Sequence, residues 1–346
     1  MVSHPFGPDA GDGFVYEVLT LGPTGTISPT GVTFVMGNGQ QGRIAFTPDG
    51  RIGLVAQNDG SLGAFRLEDD GGVTVLPSPD GGPYLSAVMM NADGSRAIGI
   101  DPDTLSNGGG LYDLEIGCDD RLAWRGALGV FNTPDALAFL PTDATEAIVA
   151  GGAGFRPDGG LDTELIAPLA DGGPTLIGAA QAYPAGDAIP SAVAVTVDGR
   201  FAFVADNGIF VGNRVAVVAL SSGALSPLGI LTTDNPADIV ASPFDDTLLV
   251  LNSDGLDNLT PIVPAPDAGG IGFVVAPHLA YVGAPPQLPT EAVVIQRGSL
   301  VGRVLIGENL GVRQVQFESD GGIVDLGLFT EGGDYTNIVG ALGVQP

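Results

Sequence analysis

The chain has 346 residues, 44% of them hydrophobic, enough to form a sizeable core and to exclude general disorder. Its net charge is −28, with 31 Asp and 9 Glu against 12 Arg and no Lys. That balance excludes nucleic acid and anionic membranes as partners, since both need clustered cations, and it favours cations or basic partners.

Glycine (55) and proline (27) are abundant and evenly spread, as in a chain of many tight turns. No stretch approaches the ~18 consecutive apolar residues of a membrane helix. Residues 1–10 lack the basic and apolar regions of a signal peptide, and residues 1–12 read as a loose arm of one domain spanning 1–346. Short apolar runs then alternate with Asp-Gly, Asn-Gly and Gly-Gly turns, the pattern of an all-β chain.

In chain order, Phe14–Leu21 and Gly31–Val35 read as two outer strands. A recurrent unit follows: an apolar strand, a turn, and a second apolar strand ending in Asn or Asp. It begins at Gly42-Arg-Ile-Ala-Phe, Leu85-Ser-Ala-Val-Met and Asp135-Ala-Leu-Ala-Phe, then at Ser191-Ala-Val-Ala-Val, Ala237-Asp-Ile-Val-Ala and, more loosely, Glu291-Ala-Val-Val-Ile. Two further β-like runs follow each, so every unit has strands a, b, c and d, the signature of a propeller blade. Tyr335–Val344 reads as one more strand a. Pairing it with the N-terminal runs gives a seven-bladed β-propeller of four-stranded blades, closed by its two ends and without open edges. Six blades result if the ends do not pair.

Asp49-Gly50, Asp93-Gly94 and Asp198-Gly199 turn strand a into strand b, Gly supplying positive φ and Asp bonding the turn backbone. Pro134, Pro190, Pro236 and Pro289 stand before strand a, where no ladder donor is needed.

The segment Val193–Asn207 with Asn213–Leu220, and more weakly Ile44–Asn58 and Asp238–Asn252, resembles the YVTN-type β-propeller repeat family, whose superfamily includes lactonase-like propellers. The resemblance implies a seven-bladed propeller, commonly exported in bacteria and often without known activity. Its lactonase-like branch gathers His, Arg and Glu at the channel mouth. Here His4 falls in the N-terminal arm and His278 in a strand-c region of the fifth repeat, so no catalytic residues carry over.

No nucleophile elbow, zinc helix, Walker loop or Cys/His metal spacing is present, and the lone Cys118 has no partner for an internal disulfide. One constellation stands out. The b–c and d–a connections share a face, so the ends of strands b ring one mouth of the channel. They carry Asn58 and Asp59, Asp101 and Asp103, Asp206 and Asn207, Asn252 with Asp254 and Asp257, and Glu308 with Asn309. Such acids either cap turns or offer oxygens to Ca2+, for which Asn252, Asp254 and Asp257 are the nearest local set. Long loops at Gly152–Thr163 and Ser253–Gly270 extend the same face.

The expected role is that of a non-enzymatic, monomeric propeller, placed outside the cytoplasm, that binds a partner protein or small ligand through this acidic b–c face. A lactonase-like hydrolase with its site at the channel mouth, and an extracellular scaffold or surface-layer module, are the alternatives.

Overall fold

The computed structural model describes residues 1–4, 15–37, 41–57, 59–91, 94, 96–102, 110–128, 133–152, 163–169, 173–183, 188–207, 213–221, 223–253, 258–267, 269–309, 311–330, 339 and 342–345. These residues form antiparallel strands joined by turns, with no helix among them. Strands β1 (Val2–His4), β2 (Val15–Leu21) and β3 (Ile27–Val35) make a three-stranded terminal sheet.

Six four-stranded sheets follow, each a meander in chain order. The first holds β4 (Gln41–Phe46), β5 (Ile52–Ala56), β6 (Leu62–Leu67) and β7 (Val73–Leu76); the second, β8 (Ala87–Met90), β9 (Arg96–Asp101), β10 (Gly110–Ile116) and β11 (Leu122–Leu128). The third comprises β12 (Thr133–Leu140), β13 (Asp143–Gly152), β14 (Thr163–Leu169) and β15 (Gly173–Ala180). The fourth is built from β16 (Pro190–Val195), β17 (Phe201–Asp206), β18 (Arg214–Ser221) and β19 (Ala224–Thr232). The fifth has β20 (Pro236–Ala241), β21 (Leu248–Asn252), β22 (Leu259–Pro264) and β23 (Phe273–Val275). The sixth has β24 (Glu291–Val294), β25 (Arg303–Glu308), β26 (Gly311–Phe317) and β27 (Ile323–Thr330).

The innermost strands of these six sheets touch in succession, β4 to β8, β12, β16, β20 and β24, which is the arrangement of a β-propeller around a central channel. The second strands are covered on both faces: β5, β21 and nearly all of β17 and β25 are buried. This explains why their sequences run apolar without alternation. The outermost strands β7 and β19 are exposed or half-buried along nearly their whole length.

The core is divided among the sheet interfaces. Leu54 and Ala64 meet Val88 and Leu114; Ile98 and Leu111 meet Leu137 and Val149; Ile148 and Ala150 meet Val204 and Val218. Further round, Phe203 and Val217 meet Val250 and Ile262, and Leu249 and Leu251 meet Val304 and Val315. The terminal sheet packs on both neighbours. Tyr16 joins Ile44, Val55 and Phe65, while Val2 and Ile27 join Leu305, Val312, Val339 and Leu342. Each fully buried Val, Leu, Ile or Phe contributes about 1.5–3 kcal/mol.

The N-terminal arm expected at residues 1–12 is corrected at its start. Val2–His4 pair with Glu17–Val15 as β1, Val2 is fully buried, and Val2 also bridges Leu342. Burying Val2 and satisfying its backbone outweigh the entropy of fixing three residues. Residues 5–14 lie outside the described residues. No helix among the described residues is long and apolar enough to cross a membrane.

Candidate functional site at the mouth of the channel

The pairs Pro190↔Asp206, Pro236↔Asn252 and Glu291↔Gly307 put the starts of the innermost strands level with the ends of the second strands. Both therefore reach the b–c face singled out by the sequence. Asn58, Asp103, Asp254 and Asp257 lie outside the described residues. Asp59 is exposed, and its Oδ1 accepts bonds from the backbone N and Oγ of Ser61, at 3.0 and 2.7 Å. Asn207 and Asn309 are half-buried and donate backbone N–H bonds to Ile189 and Gln287.

The other strand-end groups face inward. Asp101, Asp206, Asn252 and Glu308 are all buried. Asp206 accepts from the Ile189 amide at 2.9 Å and from Nε of Arg214 at 2.6 Å, and the Arg214 guanidinium lies 4.5 Å from the Tyr183 ring centre. Glu308 meets Arg313 at 3.3 Å; Arg313, with no exposed side-chain surface, also pairs with Asp325 at 2.7 Å and donates to the Ala284 carbonyl at 2.6 Å. Burial holds the Glu308 carboxyl above its usual range, with Arg313 pulling against that and Asp325 adding to it. These groups latch the ends of β17 and β25 to the strands that follow. Asn252 donates from Nδ2 to Thr260 Oγ1 at 3.0 Å. Among the described residues, no group of three His, Cys, Asp or Glu side chains is placed to hold a metal ion.

His278 lies beyond β23, exposed, with its ring stacked on Tyr281 at 5.9 Å, and thus not in a third strand as expected. The third strand of that sheet is β22, which forms inside the segment Ser253–Gly270 expected to be a loop, so the run after Gly272 supplies the fourth strand instead.

Charge converges instead on the starts of the innermost strands. A cavity of about 190 Å3 in the channel is lined by Arg43, Asp135, Asp238, Glu291, Ser191 and Thr290, with an apolar wall that includes Ala87, Met89, Ile100 and Leu137. Sequence reasoning missed these four charged groups. In β12, β16 and β20 the pairing register slips just after Pro134, Pro190 and Pro236, and in β4 it slips between Gln41 and Ala45. Such bulges re-aim side chains, here Asp135, Ser191 and Arg43. The available signal was charge in an otherwise small column: Arg43 and Asp238 stand where the other repeats have Ala87, Ala136, Ala192 and Ala292.

Arg43 crosses the channel to Asp238 and to Glu291, its Nε lying 3.2 Å from Glu291 Oε1. Asp238 also accepts from the amides of Ile239 and Ala292, each at 2.8 Å. Burial opposes the Arg43 charge, but Asp238 and Glu291 outweigh it and raise its pKa further. Glu291 is 7% exposed and its Oε2 has no hydrogen-bond partner among the described residues. Burial pushes its carboxyl well above the usual range and Asp238 adds to that, while Arg43 and a backbone hydrogen bond from Leu342 work against it. Asp135 accepts from the Gly152 amide at 3.0 Å; burial lifts its carboxyl from 3.8 to about 7, with that bond opposing. A guanidinium beside carboxyls raised by burial can bind polar groups and can exchange protons.

No family model matches the chain, and no curated protein matches it significantly. Solved structures do. A proposed 6-phosphogluconolactonase from Bacteroides fragilis superposes with a TM-score of 0.67 at 14% identity, over 91% of this chain and 90% of that one. A protein from Lactobacillus plantarum gives 0.69 at 14% identity over 94% of both chains. A functionally unknown protein from Desulfotomaculum acetoxidans gives 0.62 at 17%, over 90% of this chain and 92% of that one. The likeness is one of fold: this chain shares the propeller architecture of 6-phosphogluconolactonase-like proteins. The YVTN-type resemblance rests on the quoted residues alone.

Proposed function

We propose that the protein is a non-enzymatic binding propeller, a monomer of seven blades acting outside the cytoplasm, whose ligand enters the channel cavity from the b–c face. The observation that carries this reading is Glu291 Oε2, buried on the cavity wall without a partner beside Arg43. A buried polar atom left unsatisfied costs about 1–3 kcal/mol, a cost that a ligand donor relieves. Small polar fragments of each charge type, screened by melting shift and soaked into crystals, test it. Binding is expected in the cavity for the wild type and not for Glu291→Gln; no occupant from any class overturns it.

Seven blades are supported by the Val2–Leu342 bridge and by apolar contacts of the terminal sheet with both neighbours. A Lys-free surface with a charge of −28 supports an extracytoplasmic place, which fractionation of cells carrying the intact gene tests.

A hydrolase is the second reading, supported by Asp135 near neutrality in the same cavity, where a general base works best. Turnover of 6-phosphogluconolactone or simple lactones, lost in Asp135→Asn, would establish it and displace the non-enzymatic reading.

A further inference from the structure

The charges in the cavity specify its ligand more narrowly. One guanidinium faces three carboxyl groups there: Arg43 against Asp135, Asp238 and Glu291. Arg43 is shared between Asp238 and Glu291. Asp238 spends its remaining capacity on the Ile239 and Ala292 amides. Two acceptors remain: Glu291 Oε2, buried and unpartnered, and Asp135, which makes no ion pair among the described residues. Both want donors, and an anion would meet carboxyl oxygen on two sides.

A divalent metal fits poorly. Ca2+ takes about six to eight oxygens, whereas here the guanidinium already sits on Glu291 and much of the wall is hydrocarbon. Ala87, Met89, Ile100 and Leu137 instead complement an alkyl chain. At about 190 Å3 the cavity is smaller than the roughly 300–1,000 Å3 of drug-sized sites, so the ligand is small.

We propose that the cavity binds a small primary alkylammonium compound, its N–H donors received by Glu291 Oε2 and Asp135 and its chain lying on the apolar wall. This rests on the cavity being the binding site. The capture is proton-linked. A cation beside Asp135 and Glu291 favours their ionised forms, with Arg43 and Asp238 the other charged groups facing them, so binding releases protons and tightens as pH rises through neutrality.

The test is calorimetry with n-propylammonium chloride, repeated in buffers of different ionisation enthalpy, with propionamide, propionate and potassium chloride as controls. Propylammonium is expected to bind with proton release. Glu291→Gln and Asp135→Asn should each weaken it about tenfold or more, the scale of one lost charge-assisted bond, while the exposed Asp69→Asn leaves it unchanged. Asp135→Asn keeps the acceptor for the Gly152 amide, so it reports even if Glu291→Gln does not fold. If propylammonium does no more than potassium chloride while propionamide or propionate occupies the cavity, the ammonium assignment falls and the binding site stands. If no probe enters, both fall.

Discussion

Replacing Asp135 by Asn tests the electrostatics of the channel directly. The folded carboxyl titrates near 7 against 3.8 for an unburied aspartate, a rise caused by burial. Below about pH 4 it is protonated in both folded and unfolded chains and has no effect on the balance. Between those values the folded state keeps a proton that the unfolded state has released, so stability falls as pH rises. Above about pH 7 the whole cost is present: roughly three units at 1.36 kcal/mol each, or about 4 kcal/mol. Asparagine keeps the acceptor for the Gly152 amide and removes the charge. Its variant should match the wild type near pH 4 and become more stable by up to about 4 kcal/mol near pH 8.5, read from denaturant midpoints across pH. A gap that is the same at both ends of the range, or a variant less stable in alkali, would refute the reasoning.

Three other outcomes are expected. Removing residues 335–346 strips the buried Val339 and Leu342 from the Val2 cluster and should cost at least about 4 kcal/mol; an unaltered melting curve would contradict it. Arg313→Met leaves Glu308 and Asp325 buried without their cation, with a loss of about 3–5 kcal/mol that shrinks in acid as the Glu308 carboxyl, already raised by burial, protonates. Gly311→Ala places a Cβ against the Phe329 carbonyl at a φ of 151°, so several kcal/mol of destabilisation should appear in chemical unfolding, with Gly298→Ala, open at its Cβ, the milder comparison.

What was legible in the sequence was local. Asp198-Gly199 turns as its chemistry dictates: Gly199 has φ 72°, and Asp198 Oδ1 accepts from the Arg200 amide at 2.9 Å and from Thr196 Oγ1 at 2.8 Å. Continuous apolar runs such as Leu248–Asn252 announced second strands covered on both sides. The three residues of β1 carry no periodicity; only the distant Leu342 and β2 make them a strand. For the site, the face could be read but the side chains could not. Asp206 and Glu308 are neutralised by Arg214 and Arg313, which follow across the b–c turn, and those opposite-charge pairs were visible in the sequence. Asp135 and Arg43 reach the cavity through bulges, and a slip of register by one or two residues is invisible to any count of hydrophobic spacing.

The bridge between Val2 and Leu342 also sets an order of events during synthesis. Strands β1 to β3 are synthesised well before Leu342, which bridges Val2. Until then Val2 and Ile27 lack Val339 and Leu342, two buried members of their cluster. The apolar cluster around Val2 is thus complete only once Val339 and Leu342 have been made. A chain cut before Val339 leaves Val2 and Ile27 without these neighbours, the kind of apolar surface that chaperones and proteases recognise.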